Sequence, residues 1–144
     1  LSAFYGILKP MDGVTPYRLE MQAKAEIEET TNLYDYWGDR LYHSVIDDSR
    51  TIINLASKEY SKCIERYLSD KDNYITITFC ELSGDKLVTK GTYAKMARGE
   101  MVRFMAENNI ENPVDIQKFD RLGYTFRGNL SSETEYVFER KIIK

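Results

Sequence analysis

The sequence has few of the residues that build covalent frameworks or metal sites. Its only two cysteines, Cys63 and Cys80, lie outside any CxxC spacing, so neither a disulfide framework nor a zinc site is predicted. Its single histidine, His43, would have to serve every arrangement that needs an imidazole, so no Ser-His-Asp or Cys-His site is predicted. Isolated thiols of this kind favour a reducing, cytoplasmic location.

Long apolar runs and an excess of positive charge are also missing. No run approaches the ~20 apolar residues that are needed to cross a membrane, so no membrane partner is expected. The net charge of −3 argues against a binder that is basic throughout, and any nucleic-acid contact must come from a local patch. The 42% hydrophobic and 30% charged residues that are present suffice for one globular core.

Hydrophobic patterning predicts a mixed α/β (α+β) fold, with short strands and helices alternating around one sheet. Asn32, Ser57 and Asn112 are predicted helix caps, and Pro113 stands at the first helical position after the last of them. Helices are predicted at about 33–48, 58–68, 93–108 and 113–119. Strands are predicted at 51–54, 74–82 and 86–89, with a closing hairpin at 124–129 and 135–142.

Residues 5–21 follow neither a helix nor a strand pattern, because prolines, glycines and an aspartate interrupt every period. Long connections that carry aromatic and charged residues are frequent functional segments. This one ends in Tyr17, Arg18, Leu19 and Glu20, where a planar guanidinium can clamp a phosphate or a carboxylate. An Arg18–Glu20 ion pair that pins the loop is one interpretation. We expect a mixed case, in which a buried polar cluster holds the loop and also forms one wall of an anion cleft.

A ligand pocket is the other interpretation of the same segment. Ligands in α/β sheets favour the carboxyl ends of strands, and the strand-to-helix turn after residue 54 is such a place. The amides at the start of the following helix would also favour an anion. The predicted pocket consists of Tyr17, Arg18, Glu20, Asn54, Ser57 and Tyr60.

The helix predicted at 93–108 carries a row of cations beside an apolar stripe. The stripe comprises Ala94, Ala97, Met101, Phe104 and Met105 at 100° per residue. Lys95, Arg98 and Arg103 are interpreted as an anion-binding flank, interleaved with small residues such as Gly99 that let a phosphate approach. Glu100 and Glu107 are placed on the other side. A solvated face of mixed charge is the alternative.

A metal site is not expected, and neither is any other cofactor. Asp39, His43 and Asp47 are spaced four apart and share one helix face. Two helical turns spread these three side chains too far for a tight site. No residue is assigned a catalytic role.

Five stretches together resemble the YaaA family of bacterial peroxide-stress proteins. They cover nearly the whole chain, in the family's order, and are residues 5–21, 36–39, 53–60, 93–99 and 123–126. The resemblance implies a cytoplasmic DNA-binding protein of the hydrogen peroxide response that protects DNA while free iron is kept low. It also implies a helix-hairpin-helix element, which would fall at 93–119, although Asn108 and Asn109 stand where such hairpins carry glycine.

The DNA expected as partner is double-stranded or structured. Its contacts are assigned to Lys9, Arg18, Lys95, Arg98 and Arg103. Two other functions remain open: an enzyme acting on a nucleotide or nucleic-acid component through the loop pocket, with Glu20 or Tyr17 as acid or base, and a direct iron-binding protein. The inventory of metal-ligating residues supports the second of these poorly.

Full-length members of the family extend upstream of the loop. The chain opens without an initiator Met, on residues 1–5, which are interpreted as the end of a buried strand. Residues 1–144 are therefore expected to be the C-terminal part of a single domain.

Overall fold

The structure, a computed structural model, describes residues 1–141. Its α-helices are α1 (Leu33–Trp37), α2 (Arg40–Val45), α3 (Lys58–Glu65) and α4 (Gly91–Glu107). Its strands are β1 (Thr51–Asn54), β2 (Asn73–Ser83), β3 (Lys86–Val88), β4 (Tyr124–Phe126) and β5 (Glu135–Arg140). Two 3₁₀ helices, Pro113–Lys118 and Gly128–Leu130, complete the described elements.

The five strands form one open sheet in the order β1-β2-β5-β4, with β3 paired to β2. β2 and β5 are parallel, whereas β3 and β4 run antiparallel to their neighbours. The mixed α/β class is therefore confirmed. No helix among residues 1–141 has both the length and the apolar character that a membrane span requires.

The chain divides into two compact units. The first contains Leu1–Ile52 and Ala56–Asn73, and the second contains Ile53–Leu55 and the chain from Tyr74 onward. In the first unit the buried apolar side chains include Met21, Leu33 and Leu41. There the Tyr42 hydroxyl donates to Asp72 Oδ2 at 2.8 Å.

The core of the second unit lies between the sheet and α4. Alternate residues of β2 are buried because successive side chains point to opposite faces of a sheet, and α4 contributes one apolar stripe. The buried cluster consists of Ile75, Ile77, Phe79, Ala94, Ala97, Met101, Phe104, Ile116, Phe119, Tyr124, Tyr136 and Phe138. The predicted stripe of α4 is thus confirmed, with Met105 partly buried beside it.

The predicted helix 33–48 is wrong as one element. Asn32 caps α1 as predicted, its side chain accepting from Asp35 N at 2.9 Å. Gly38 then adopts φ +52° and ψ −138°, which ends α1. α2 begins two residues later, and the backbone is extended again at Ile46.

Residues 1–5 are a turn, so their interpretation as a strand end is wrong. Ser2 and Gly6 exchange backbone hydrogen bonds of 2.7 and 2.9 Å. Gly6 has φ +76°, a conformation that favours glycine. The Trp37 indole donates to Ala3 O at 2.9 Å and so holds the turn against α1.

The later elements follow the predictions with shifted ends. Asn112 caps the next helix by accepting from Val114 N at 3.1 Å, as predicted, but that helix is of the 3₁₀ type. The helix after Ser57 ends at Glu65 rather than near 68, and Ser57 makes no side-chain cap bond. The closing hairpin is confirmed as antiparallel β4–β5 pairing, with β4 ending at Phe126. The predicted end of its last strand, Ile142, lies outside the described residues.

Candidate functional site

The loop at 5–21 is held by aromatic rings and a buried methionine. The Tyr5 hydroxyl accepts from Thr15 N at 2.9 Å, and Tyr17 OH hydrogen-bonds to Ser2 Oγ. The Tyr17 ring lies 5.4 Å from Phe4 and 5.6 Å from Tyr5, centroid to centroid. Met21, at the end of the loop, has no exposed surface. These contacts hold the loop in place, although its backbone forms neither a helix nor a strand.

Arg18 and Glu20 do not form the ion pair that was expected to pin the loop. Both residues are exposed, and no ion pair joins them within residues 1–141. The interpretation as a buried polar cluster is therefore wrong. The loop is held by Tyr5, Tyr17 and Met21 instead, which leaves the Arg18 guanidinium in solvent. Lys9 is likewise exposed.

Three members of the predicted pocket lie near one another in the first unit. Burial raises the pKa of Tyr60, and the nearby Glu59, Tyr17 and Glu20 raise it further. The Tyr60 phenol therefore stays protonated at neutral pH. Arg18 is exposed and is not among the groups that shift the pKa of Tyr60.

The other two members are placed by different contacts. Ser57 lies at the start of α3, where its carbonyl accepts from Tyr60 N at 3.0 Å and Ser61 N at 2.8 Å. Asn54 belongs to the second unit and is buried there, its amide donating to Thr76 Oγ1 at 3.2 Å. Both contacts are structural, since each satisfies a backbone or side-chain partner of the fold.

On α4, the prediction that Glu100 and Glu107 lie on the side away from Arg103 is wrong, because both carboxylates contact it. Arg103 Nε lies 2.7 Å from Glu107 Oε1, and its Nη1 lies 3.8 Å from Glu100 Oε1. Residues three and four apart are neighbours on a helix surface, which explains both pairs. Hydrogen bonds from Arg103 and Arg121 lower the pKa of Glu107. The positive charge of Arg103 is thus compensated within the protein.

Lys95 and Arg98 differ from Arg103, because neither forms an ion pair within residues 1–141. Lys95 is exposed and Arg98 half-buried. Arg98 Nε is buried and has no hydrogen-bond acceptor among the described residues. A Cβ at Gly99 would meet none of the other described atoms within 4 Å, so this position of α4 is not packed against another element of residues 1–141.

A second polar cluster was missed from the sequence. Glu81, only 1% exposed, accepts from Arg140 Nε at 3.0 Å and Nη2 at 2.5 Å, and pairs with Lys90 through its other oxygen. Hydrogen bonds from Lys90 and Arg140 lower the pKa of Glu81. The sequence did contain a signal for this cluster. Glu81 follows Phe79 at the next inward-facing position of β2, and a buried carboxylate requires cationic partners.

The residues considered as metal ligands do not converge. His43 Nε2 lies 3.3 Å from Asp39 Oδ2, with both side chains exposed. Asp47 Oδ1 instead accepts from Ser49 N at 2.9 Å and from Ser49 Oγ at 2.6 Å. Within residues 1–141 no three His, Cys, Asp or Glu side chains gather as a metal-binding group.

Comparisons with known proteins identify the family. A family model described as peroxide stress protein YaaA matches residues 1–130. The chain is 80% identical over 142 residues to a UPF0246 protein of Agathobacter rectalis, covering 99% of this chain and 57% of that protein. It is 56% identical over 138 residues to a UPF0246 protein of Lachnoclostridium phytofermentans, covering 96% and 54%. The chain thus spans about half the length of the curated relatives it matches. It belongs to the YaaA family of peroxide stress proteins.

Proposed function

We propose that this protein binds the phosphate backbone of double-stranded or structured DNA during peroxide stress. Membership of a peroxide-stress family supports the physiological setting. In that setting DNA is protected while free iron is kept low. The cytoplasm is the proposed compartment, in keeping with the free, buried thiols of Cys63 and Cys80.

The uncompensated cations carry the proposal. Of the five cations assigned to DNA from the sequence, only Arg103 is ion-paired within residues 1–141. The other four are Lys9, Arg18, Lys95 and Arg98. A cation without an ion pair can displace a condensed counterion from DNA without first breaking an ion pair within the protein. We therefore assign favourable phosphate contacts to these four side chains.

Two of these four cations, Lys95 and Arg98, lie on α4, and Arg98 is the stronger candidate for a phosphate contact. Arg98 is half-buried and forms no ion pair within residues 1–141, so its guanidinium charge is not compensated by a described carboxylate. A phosphate oxygen is an acceptor that forms strong, charge-assisted bonds with a guanidinium. At the neighbouring Gly99 an added Cβ would meet none of the other described atoms within 4 Å, so no packed side chain covers the helix surface at that position.

Side chains of α4, rather than the backbone amides that follow its end, make the proposed phosphate contacts. Asn109 has φ +47°, the left-handed conformation that a helix-hairpin-helix connection uses at glycine. The amides of Asn108, Asn109 and Ile110 donate to Phe104 O, Ala106 O and Met105 O, at 3.1, 3.3 and 3.0 Å. These amides are therefore occupied, and a helix-hairpin-helix element would here act through Lys95 and Arg98.

The salt dependence of duplex binding tests the proposal. Two duplexes of unrelated sequence should bind with similar affinity to the full-length protein, and the logarithm of that affinity should fall linearly with the logarithm of salt concentration. Lys95→Ala should reduce the slope by about one unit. Lys118→Ala is the matched control, because Lys118 Nζ lies 2.7 Å from Asp115 Oδ1. Affinity that does not depend on salt would refute backbone binding.

A further inference from the structure

A small pocket opens on the surface of the second unit. It has a volume of about 130 Å³ and is lined by Tyr93, Met96, Leu122, Tyr124 and Arg140. Tyr93, Met96 and Leu122 are 42%, 53% and 45% exposed, so the rim is apolar and accessible. Apolar walls with a few fixed polar groups are the usual composition of a small-molecule site.

The Arg140 guanidinium in this pocket is held rigidly. It donates twice to the buried carboxylate of Glu81, and its central carbon lies 3.6 Å from the centroid of the Tyr93 ring. A guanidinium that is fixed on one side by a carboxylate and on another by an aromatic face keeps its remaining donors in one direction. The cation is therefore preorganised for a ligand, which lowers the entropic cost of binding.

The cluster around Arg140 carries an excess positive charge. Lys90 and Arg140 contribute +2, and Glu81, the carboxylate that pairs with both, contributes −1, so the sum is +1. The Lys90 side chain is 51% exposed and remains accessible from solvent. Charge complementarity therefore favours a ligand with one negative group.

The backbone at the rim is held in an unusual conformation. Leu122 has φ +54° and Gly123 has φ +77°, and leucine rarely adopts the left-handed region. A Cβ at Gly123 would lie 3.5 Å from Arg140 Cγ, so the chain passes close to the arginine. Unfavourable backbone conformations that persist in folded proteins cluster at ligand sites.

We propose that this pocket binds a small planar aromatic anion, namely a single ring that bears one carboxylate or phosphate group. A cavity of about 150 Å³ holds one benzene ring, which matches the volume here. The ring packs against Tyr93, Met96 and Leu122, and its anionic group faces Arg140, the cation of the pocket lining. The site does not depend on DNA binding, and the two proposals can fail separately.

Methyl spectra of the full-length protein with ¹³C-labelled methionine methyl groups test the pocket. The probes are benzoate and phenyl phosphate, each a single ring that bears one anionic group, with inorganic phosphate as the comparison. The Met96 methyl signal, assigned with Met96→Leu, should shift in a saturable manner through the ring current of the probe. The Met11 methyl, on a side chain that is 94% exposed in the loop, should not move.

The response to each probe distinguishes the sources of the ligand. Binding of benzoate alone supports an aromatic carboxylate, and binding of phenyl phosphate alone supports an aromatic phosphate ester. A Met96 shift with phosphate equal to that with both aromatic probes would overturn the proposal, since a plain anion site would then suffice. No saturable shift with either aromatic probe would overturn it as well.

A pair of variants tests the geometry. Tyr93→Leu removes the ring but keeps an apolar side chain at an exposed position, and should weaken probe affinity about three- to tenfold. Val102→Ala, at a position of the same helix that is 54% exposed and outside the pocket, should leave affinity unchanged. Thermal unfolding of both variants verifies the fold. Equal affinities of Tyr93→Leu and the unchanged protein would overturn the assignment.

Discussion

Glu81 and Arg140 lie directly opposite each other on the parallel strands β2 and β5, although 59 residues separate them in the chain. The guanidinium donates to the same carboxylate oxygen at 2.5 and 3.0 Å. Lys90 pairs with the other oxygen. A buried charge of this kind is tolerated because both oxygens have cationic partners, and the cluster ties the end of β2 to β5 and to the start of α4.

The Glu81 cluster should make stability depend on pH. The folded-state pKa of Glu81 lies below its ordinary value of 4.5, so the contribution is complete above that value and is lost as the pH falls through the folded pKa. Glu81→Gln should therefore reduce the free energy of unfolding at neutral pH, with a smaller difference at about pH 3. Denaturant unfolding at both pH values measures this.

Glu133→Gln is the control for that experiment, since Glu133 is exposed and forms no ion pair within residues 1–141. It should leave the pH dependence unchanged. A difference between Glu81→Gln and the unchanged protein that is equally large in acid and at neutral pH would contradict the account.

The turn at the start of the chain should depend on a single glycine. At Gly6, φ is +76°, and an added Cβ would lie 2.9 Å from Trp37 Cη2 and 3.2 Å from Leu41 Cδ2. Gly6→Ala should cost about 2–4 kcal/mol, from the left-handed backbone and from overpacking. Gly84→Ala, with φ +61° but no atom within 4 Å of the new Cβ, should cost only about 1 kcal/mol.

Gly13→Ala completes this series as a control, because a Cβ there would meet no atom of residues 1–141 within 4 Å. The loss of stability, measured as the free energy of unfolding, should be larger for Gly6→Ala than for Gly84→Ala or Gly13→Ala. A loss for Gly6→Ala no larger than that for the other two variants would show that the Trp37 contact does not limit the turn.

The core of the second unit should respond strongly to loss of Phe119. This side chain is 1% exposed, and its ring lies 5.5 Å from that of Phe104 and 5.6 Å from that of Phe138. Phe119→Ala should cost about 3–5 kcal/mol by leaving a cavity. Val114→Ala, at a position nearby in the chain that is 56% exposed, should change stability by less than about 0.5 kcal/mol. A cost below about 1 kcal/mol for Phe119→Ala would contradict this packing.

The two charged side chains of the Tyr17–Glu20 segment should be dispensable for stability. Arg18 and Glu20 are exposed and unpaired with each other, so Arg18→Lys and Glu20→Gln should each stay within about 0.5 kcal/mol of the unchanged protein. Met21→Ala, which empties a fully buried position, should cost about 2–5 kcal/mol. A large loss of stability in Arg18→Lys would restore the ion-pair interpretation.

Local patterns predicted the elements, because period and capping are properties of neighbouring residues. Asn32 and Asn112 cap helices as their side chains allow, and β2 alternates as its sequence does. The break at Gly38 was missed because a single glycine inside a helical pattern is usually tolerated. The turn at Ser2 depends on the Trp37 indole, a partner that no local pattern reveals.

The side-chain contacts around the candidate site were harder to predict than the elements that carry it. The cations of α4 are on its surface as expected, but the i,i+4 spacing of Arg103 and Glu107 was not used to predict their contact. The Glu81–Arg140 pair needs the register of β2 and β5, which the sequence of neither strand contains. Exposure of Arg18 follows from Tyr5 and Tyr17 holding the loop, which is again a tertiary outcome.

The central claim is that uncompensated cations contact the phosphate backbone, and two arginines of α4 test it most directly. Duplex binding by Arg98→Ala and Arg103→Ala should be measured across a salt series, with thermal unfolding as a check on the fold. Arg98 has no ion pair within residues 1–141, so Arg98→Ala should lower the salt slope by about one unit. Arg103 is compensated by Glu107 and Glu100, so Arg103→Ala should leave the slope unchanged. Equal slopes for Arg98→Ala, Arg103→Ala and the unchanged protein would contradict the account.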